Sequence, residues 1–371
     1  MLVVLVGAVF ILVSVWLFWR EPAFSKSPKY SSSRFVYCLG VPNWVFGDSS
    51  PGWWSGGTST GWLRDAAGQN AITPQRVYFD DSVKVMDSVS GSYGRPGTSG
   101  PCRTVAVRID PSDPQVSGIA NGAQGSVIRM DPQNAMNTFY GGRPTVIPQQ
   151  GETWYYGFAA ATNGGYVPHG AKTSDPGFGN WNSFGLELHS SIGVLGPIMQ
   201  EIATVGPRGG GTRWRNGAVS YRCNTNMAKL SQPRLQVALT AGLNNATTND
   251  SSHTCLRFQG PEFRPGAVYR VIYQVKWDAF GHGLFRWWVD SGDGRGYVLY
   301  ADADGVSTLW RDGSGNVDTR TYPQLLNYRK TDTSLPTSIM YYGGFVRGST
   351  MTDVMIPGSQ RRKHRVAGRA R

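Results

Sequence analysis

Charge is scarce in this chain. Only 16% of its 371 residues are Asp, Glu, Lys or Arg, too few for a chain kept unfolded by self-repulsion. Helical patterning is missing as well, because no stretch repeats apolar residues at three- and four-residue spacing well enough to compete with strand patterns. Cys38, Cys102, Cys223 and Cys255 lie far apart and form no CxxC or Cys/His ligand spacing, which leaves no support for a zinc site or a thioredoxin-like motif. His169, His189, His253, His282 and His364 supply no metal-binding pair. A phosphate-cradling glycine loop and a Gly-x-Ser-x-Gly elbow are likewise absent. Two acidic turns, Asp290-Ser-Gly-Asp293-Gly and Asp302-Ala-Asp304-Gly, carry oxygen ligands without completing the spacing of a calcium loop. The chemistry expected here needs no cofactor, and calcium is the one ion the sequence leaves open.

What is abundant points to strands. Gly 48, Pro 22 and a 12% aromatic share suit many short strands joined by tight turns. An uncharged apolar run over 2–19 is long enough to cross a bilayer, so residues 1–20 are expected to be a membrane anchor or a signal peptide. A polar linker is expected over 21–35, one main domain over 36–350, and a basic, disordered tail over 351–371. Export favours disulfides, and the expected pairs are Cys223 with Cys255 and Cys38 with Cys102. The formal charge of +12 calls for an acidic partner. Arg361, Arg362, Lys363, Arg365, Arg369 and Arg371 crowd into the tail, so the body carries only about half of that charge. An acidic polysaccharide and, through the N-terminal run, a membrane are the expected partners. Nucleic acid is not.

Strand patterns are legible over 76–79, 83–86, 103–109, 153–160, 183–190, 235–243, 256–259, 268–277, 284–290, 297–301 and 338–347. The clearest is VYRVIYQVKW. Tyr269, Val271, Tyr273, Val275 and Trp277 point one way, and Arg270, Gln274 and Lys276 the other. That alternation predicts one buried and one wet face, and makes the three polar residues candidate substrate contacts. So many strands predict an all-β jelly-roll sandwich of two large antiparallel sheets.

The stretch richest in chemistry is WNSFGLELH, ending at His189. As a strand it sends Phe184, Leu186 and Leu188 inward and sets Glu187 and His189 on the other face, about 7 Å apart. A carboxylate and an imidazole so placed can do acid-base work, or be an ordinary exposed polar pair.

The order of GETWYYGFAA, WNSFGLELHSS with GPIMQ, RPGAVYRVIYQVKWDAFGHGLFRWWVD and SIMYYGGFVRG resembles that of the polysaccharide lyases related to heparin lyase I and the alginate and glucuronan lyases. Those enzymes carry Gln-x-His on one strand and Tyr-x-Lys-x-Gly-x-Tyr on a late one. The resemblance covers roughly 75–350 and implies a concanavalin-like jelly roll with a polysaccharide groove, in which β-elimination at a uronic acid takes place.

It further implies that His189 is the family histidine, while Glu187 stands where the family has glutamine. Aligning Gly344 with the motif glycine puts Tyr342 at the lysine and Val346 at the proton-transferring tyrosine, leaving Tyr342 or its neighbour Tyr341 to substitute. Arg347, Arg129 of GSVIRM and Trp154 of GETWYYGFAA complete the implied substrate contacts. Two other classes stay open. One is a non-catalytic carbohydrate-binding or surface-structural protein. The other is a glycoside hydrolase using Glu187 with Glu152, Glu201 or Asp278. The basic stretch GPRGGGTRWR, 206–215, is a candidate lid near His189 or a plain connection.

Overall fold

A computed structural model describes residues 35–38, 63–65, 77–80, 82–86, 104–113, 123–129, 148–170, 182–190, 196–208, 211–223, 227–244, 253–319, 321–330 and 332–356. Residues 35–38, 63–65, 77, 79, 123–129 and 322 are described through their backbone alone. The apolar run over 2–19, the basic residues after 360 and Cys102 of the second expected disulfide lie outside these residues. Among the described residues no helix is long and apolar enough to cross a membrane.

The chain forms the two large sheets that the strand pattern calls for. The eight-stranded sheet runs β15 (Val298–Val306), β14 (Gly283–Asp290), β13 (Tyr269–Lys276), β6 (Thr153–Thr162), β18 (Ser338–Gly348), β4 (Val105–Ile109) and β3 (Val77–Phe79). β1 (Phe35–Cys38) pairs with β18 beside this path. The ten-stranded sheet runs β2 (Leu63–Asp65), β5 (Ala123–Arg129), β17 (Tyr322–Lys330), β7 (Leu186–His189), β8 (Ile198–Pro207), β11 (Met227–Leu243), β12 (His253–Glu262), β10 (Val219–Arg222) and β9 (Thr212–Arg213). Pairing is antiparallel except where β16 (Trp310–Arg311) lies parallel to the end of β11.

The core fills the space between the sheets. Tyr269, Val271, Tyr273 and Val275 of β13 are fully buried against Phe158, Phe285 and Trp287 of their own sheet and Leu186, Leu188, Ile198, Ile202, Leu235, Val237 and Phe258 of the other. Each such side chain contributes roughly 1.5–3 kcal/mol of burial. The alternation read from VYRVIYQVKW therefore sets the inner face correctly.

Its outer face departs from the expectation. Ile272 is fully buried and Arg270 nearly so, because a second apolar layer lies over this part of the sheet. Val85, Met86, Val354 and Ile356 pack there on Ala106, Ala159, Ala161 and Val346. The short helix α1 (Met351–Val354) opens with a capping box in which Asp353 N–H donates to Thr350 Oγ1 at 3.3 Å and Thr350 N–H donates to Asp353 Oδ2 at 2.9 Å. Gly157 is what lets the helix lie so close, since a Cβ there would overlap the Val354 carbonyl.

Cys223 and Cys255 form the first expected disulfide, with Cα atoms 5.4 Å apart and a sequence separation of 32. Closing a loop of this length stabilises the fold by roughly 3–4 kcal/mol in the chain-entropy account. The double variant Cys223→Ala/Cys255→Ala should therefore unfold at a clearly lower urea concentration than oxidised wild type. Reduced wild type should show the same loss, and coincident midpoints for all three proteins would contradict it.

Candidate functional site

The outer face of the ten-stranded sheet carries the polar groups that the sequence singles out in WNSFGLELH. In β7, Leu186 and Leu188 are buried in the core while Glu187 and His189 are half-buried on the opposite face. β17 pairs antiparallel with β7 and sets Gln324 opposite Glu187 and Tyr322 opposite His189. The Gln324 amide donates from Nε2 to Glu187 Oε2 at 2.8 Å. On the far side of β17, Arg129 of β5 lies in register with Gln324. One row across three strands thus reads Arg129, Gln324, Glu187.

Tyr328 stands on the same face of β17, two alternations beyond Gln324. Burial pushes its phenol up to about 12, and the Glu187 charge adds to the rise. Its proton is therefore held far into the alkaline range. Behind Glu187 the chain returns at Gly196, where a Cβ would meet Glu187 Oε1 and the Leu188 carbonyl at 2.6 and 2.7 Å. A glycine there is what leaves the carboxylate its place. At the His189 end, Ser190 Oγ donates to Asp318 Oδ2 at 2.5 Å and Thr321 Oγ1 donates to the same oxygen at 3.2 Å. These bonds tie the end of β7 to the entry of β17.

On the neighbouring strand, Glu201 shares the outer face but is committed. Its Oε1 accepts from Arg257 Nη1 at 2.9 Å and from Gln236 Nε2 at 3.3 Å, and the side chain is buried. Glu152 and Asp278, the other carboxyls considered as partners of Glu187, belong to the end of the eight-stranded sheet. Glu152 accepts from Trp154 Nε1 at 2.9 Å, and Asp278 caps a turn through the N–H groups of Phe280 and His282 at 2.7 and 2.9 Å. No second free carboxyl therefore faces Glu187 among these three.

No protein-family model matches the chain, and no curated protein does. Among solved structures it is similar to an endo-β-1,4-glucuronan lyase from the fungus Trichoderma reesei, 14% identical, covering 75% of this chain and 92% of that one at a TM-score of 0.42. It is also similar to a family 7 alginate lyase, 11% identical over 76% of this chain and 86% of that one, with a TM-score of 0.37. A marine alginate lyase from Aplysia kurodai is 10% identical over 78% and 99%, with a TM-score of 0.34.

The remaining residues expected at the site fall elsewhere. Tyr342 points into the core and is fully buried. Its hydroxyl donates to the Leu326 carbonyl at 2.6 Å and accepts from Gly185 N–H at 3.3 Å, so it meets no substrate. Burial raises its pKa far above the ordinary tyrosine value. Tyr341 faces the other side of the eight-stranded sheet, within the second apolar layer. The strand aligned with the late motif thus belongs to the wrong sheet for proton transfer beside His189.

Arg270, Gln274 and Lys276 lie on the outer face of that same sheet and are directed away from Glu187 and His189. Arg270 pairs with Asp290 at 3.4 Å. Gln274 accepts from Arg286, which also holds Asp302 at 2.7 Å. Arg347 is buried with its guanidinium 4.1 Å from the centroid of the Trp154 ring, a cation–π contact that packs the sandwich and faces no groove. Of the expected contacts, only Arg129 shares a sheet with Glu187 and His189.

The acidic turns and the candidate lid have the following places in the fold. Of the acidic-turn residues, Asp290 and Asp302 pair with arginines as described and Asp293 with Arg295 at 2.6 Å. No three His, Cys, Asp or Glu side chains gather into a metal-holding group among the described residues. The candidate lid ends in the β9–β10 hairpin, closed by Trp214 N–H donating to the Ala218 carbonyl at 2.8 Å. That hairpin is four strands from β7, about 19 Å at the usual strand spacing, so it does not cover His189.

Gln324 and Tyr328 are the site residues that sequence reading missed. The signal was present, because Tyr322-Pro-Gln324-Leu-Leu326-Asn-Tyr328 keeps the two tyrosines at the spacing of Tyr-x-Lys-x-Gly-x-Tyr. Pro323 hid the strand, since proline argues against an inner strand. It is tolerated here because pairing with β5 begins only at Gln324.

Proposed function

We propose that this chain is an extracytoplasmic jelly-roll protein, delivered to or held at a membrane by its N-terminal run, that cleaves an acidic, uronate-containing polysaccharide by β-elimination. The single observation carrying the proposal is the pairing of β7 with β17, which brings His189, Glu187 and Gln324 together on one face. The net charge of +12 and the Cys223–Cys255 disulfide support an acidic partner and an oxidising compartment.

Elimination needs a group to neutralise the uronate carboxylate, a base for the C5 proton and an acid for the leaving oxygen. Gln324, the amide beside Glu187, is assigned to the substrate carboxylate as a hydrogen-bond donor. His189 takes the C5 proton, and the electron pair of that C–H bond becomes the C4=C5 double bond. The C4–O bond breaks and the proton that His189 has taken passes to the departing oxygen. Tyr328 takes no part in this transfer, because it lies six residues, about 20 Å, along β17 from the position opposite His189. Every proton transfer in this scheme belongs to a side chain of the chain itself.

The test is near-ultraviolet monitoring of the full chain with heparin, heparan sulfate, alginate, glucuronan and hyaluronan, beside His189→Ala. The expected result is an absorbance rise on at least one polymer, from the new double bond, that falls by about 10²–10⁴ in the variant. A flat trace on every polymer would overturn the proposal. With gel retardation by one polymer, it would leave a carbohydrate-binding protein in which Glu187 repels the reactive carboxylate. New reducing ends without absorbance would instead mean hydrolysis.

A further inference from the structure

Two phenols of the eight-stranded sheet reach across the core to the back of the polar face. Tyr342 of β18 spans Leu326 and Gly185 through the bonds given above. Tyr273 of β13 is fully buried as well, with its hydroxyl 3.2 Å from the Leu186 carbonyl and 3.0 Å from Gln200 Oε1. The groups they hold are not scattered. Gly185 and Leu186 immediately precede Glu187, and Leu326 lies midway between Gln324 and Tyr328. Both phenols therefore grip the backbone directly behind the residues that face outward.

The segment at the start of β7 needs such a grip. Its ladder to β8 changes register between the pairs Ser183↔Glu201 and Leu188↔Ile198, so the β7 side carries two more residues than the β8 side. A bulge of this kind re-aims the side chains that follow it. Gly185 sits within it at φ +91°, where other residues are strained, and a Cβ there would run into the Phe158 ring. Loosened, the bulge would leave the direction of Glu187 and His189 unset. Tied to Tyr342 and Tyr273, it has one arrangement.

We infer that Tyr342 and Tyr273 are positioning residues, which fix β7 and β17 at the spacing where Glu187, His189 and Gln324 act together. This rests on the reading of the outer face as the reactive site. Misplacing reacting groups by about 1 Å can cost about a hundredfold in rate, whereas loss of a core hydroxyl that only packs changes stability and leaves the chemistry alone. Tyr269 provides the comparison. It is equally buried and its hydroxyl contacts the Glu262 carbonyl at 3.2 Å and Arg264 N–H at 2.6 Å, away from β7 and β17.

The experiment compares Tyr342→Phe with Tyr269→Phe in the full chain, well below either melting temperature. Expected for Tyr342→Phe is a kcat per folded molecule lowered about ten- to hundredfold with KM within about twofold, and a Gly185 amide that exchanges its hydrogen at least about tenfold faster. Tyr269→Phe should lose stability only, with kcat and Gly185 exchange unchanged. Equal kcat in the two variants together with unchanged Gly185 exchange would overturn the inference. Should wild type turn over no polyuronate, the proposed reaction fails on its own account and Gly185 exchange alone decides the clamp. If Tyr342→Phe does not fold, Tyr273→Phe takes its place, with Leu186 and Gly185 exchange as the readout.

Discussion

His189→Gln should lower kcat on a uronate polymer by about 10²–10⁴ while KM changes little. An amide of similar size stays in place, and only the group that takes the C5 proton is lost. The check is initial rate against substrate concentration; a kcat within about threefold of wild type would remove His189 from the mechanism. The pH behaviour of Tyr328, on the same face, has a definite sign. Burial first and the Glu187 charge second raise the phenol to about 12 in the fold, above the ordinary value near 10. The stability contributed by keeping it neutral is full below about pH 10 and is lost as pH rises through about 12. Wild type should therefore lose stability above about pH 10 more steeply than Tyr328→Phe.

Glu187→Gln should raise kcat/KM on the same polymer about tenfold, which corresponds to about 1.4 kcal/mol. An ionised carboxylate one strand from the neutralising amide repels the uronate, and glutamine removes that charge while its Oε1 still accepts from Gln324. The phenol of Tyr328 should also come down from about 12 toward the ordinary value, by less than the whole rise because burial is the larger cause. A difference titration of phenol absorbance against Tyr328→Phe, with its midpoint at lower pH, would show this. Loss of activity in Glu187→Gln would instead make Glu187 the base, and the roles given to His189 and Gln324 would have to be redrawn.

Much of the fold is legible in the chain because strand alternation survives wherever a face is buried. The inward set of β13 follows directly from VYRVIYQVKW. What alternation does not show is which sheet a strand joins. SIMYYGGFVRG and TYPQLLNYRK adjoin in sequence yet form β18 in one sheet and β17 in the other, and motif spacing alone favours the one with glycines. Outer-face burial is equally hidden: Arg270 looks solvent-facing until the 351–356 segment is seen to cover its neighbour Ile272. Glu187 and His189 were legible because both faces of β7 obey the same alternation as its core residues. Tyr328 was not, because Pro323 stands second in its strand.

The measurement that tests the central claim most directly sets His189→Ala beside Tyr341→Phe in the ultraviolet assay on one responsive polyuronate. These residues stand on different sheets, His189 half-buried beside Glu187 on the outer face and Tyr341 in the apolar layer on the far side of the sandwich. If the outer face of the ten-stranded sheet is where elimination occurs, the absorbance rise disappears in His189→Ala and persists at near wild-type rate in Tyr341→Phe. Persistence in His189→Ala with loss in a folded Tyr341→Phe would place the chemistry on the other sheet.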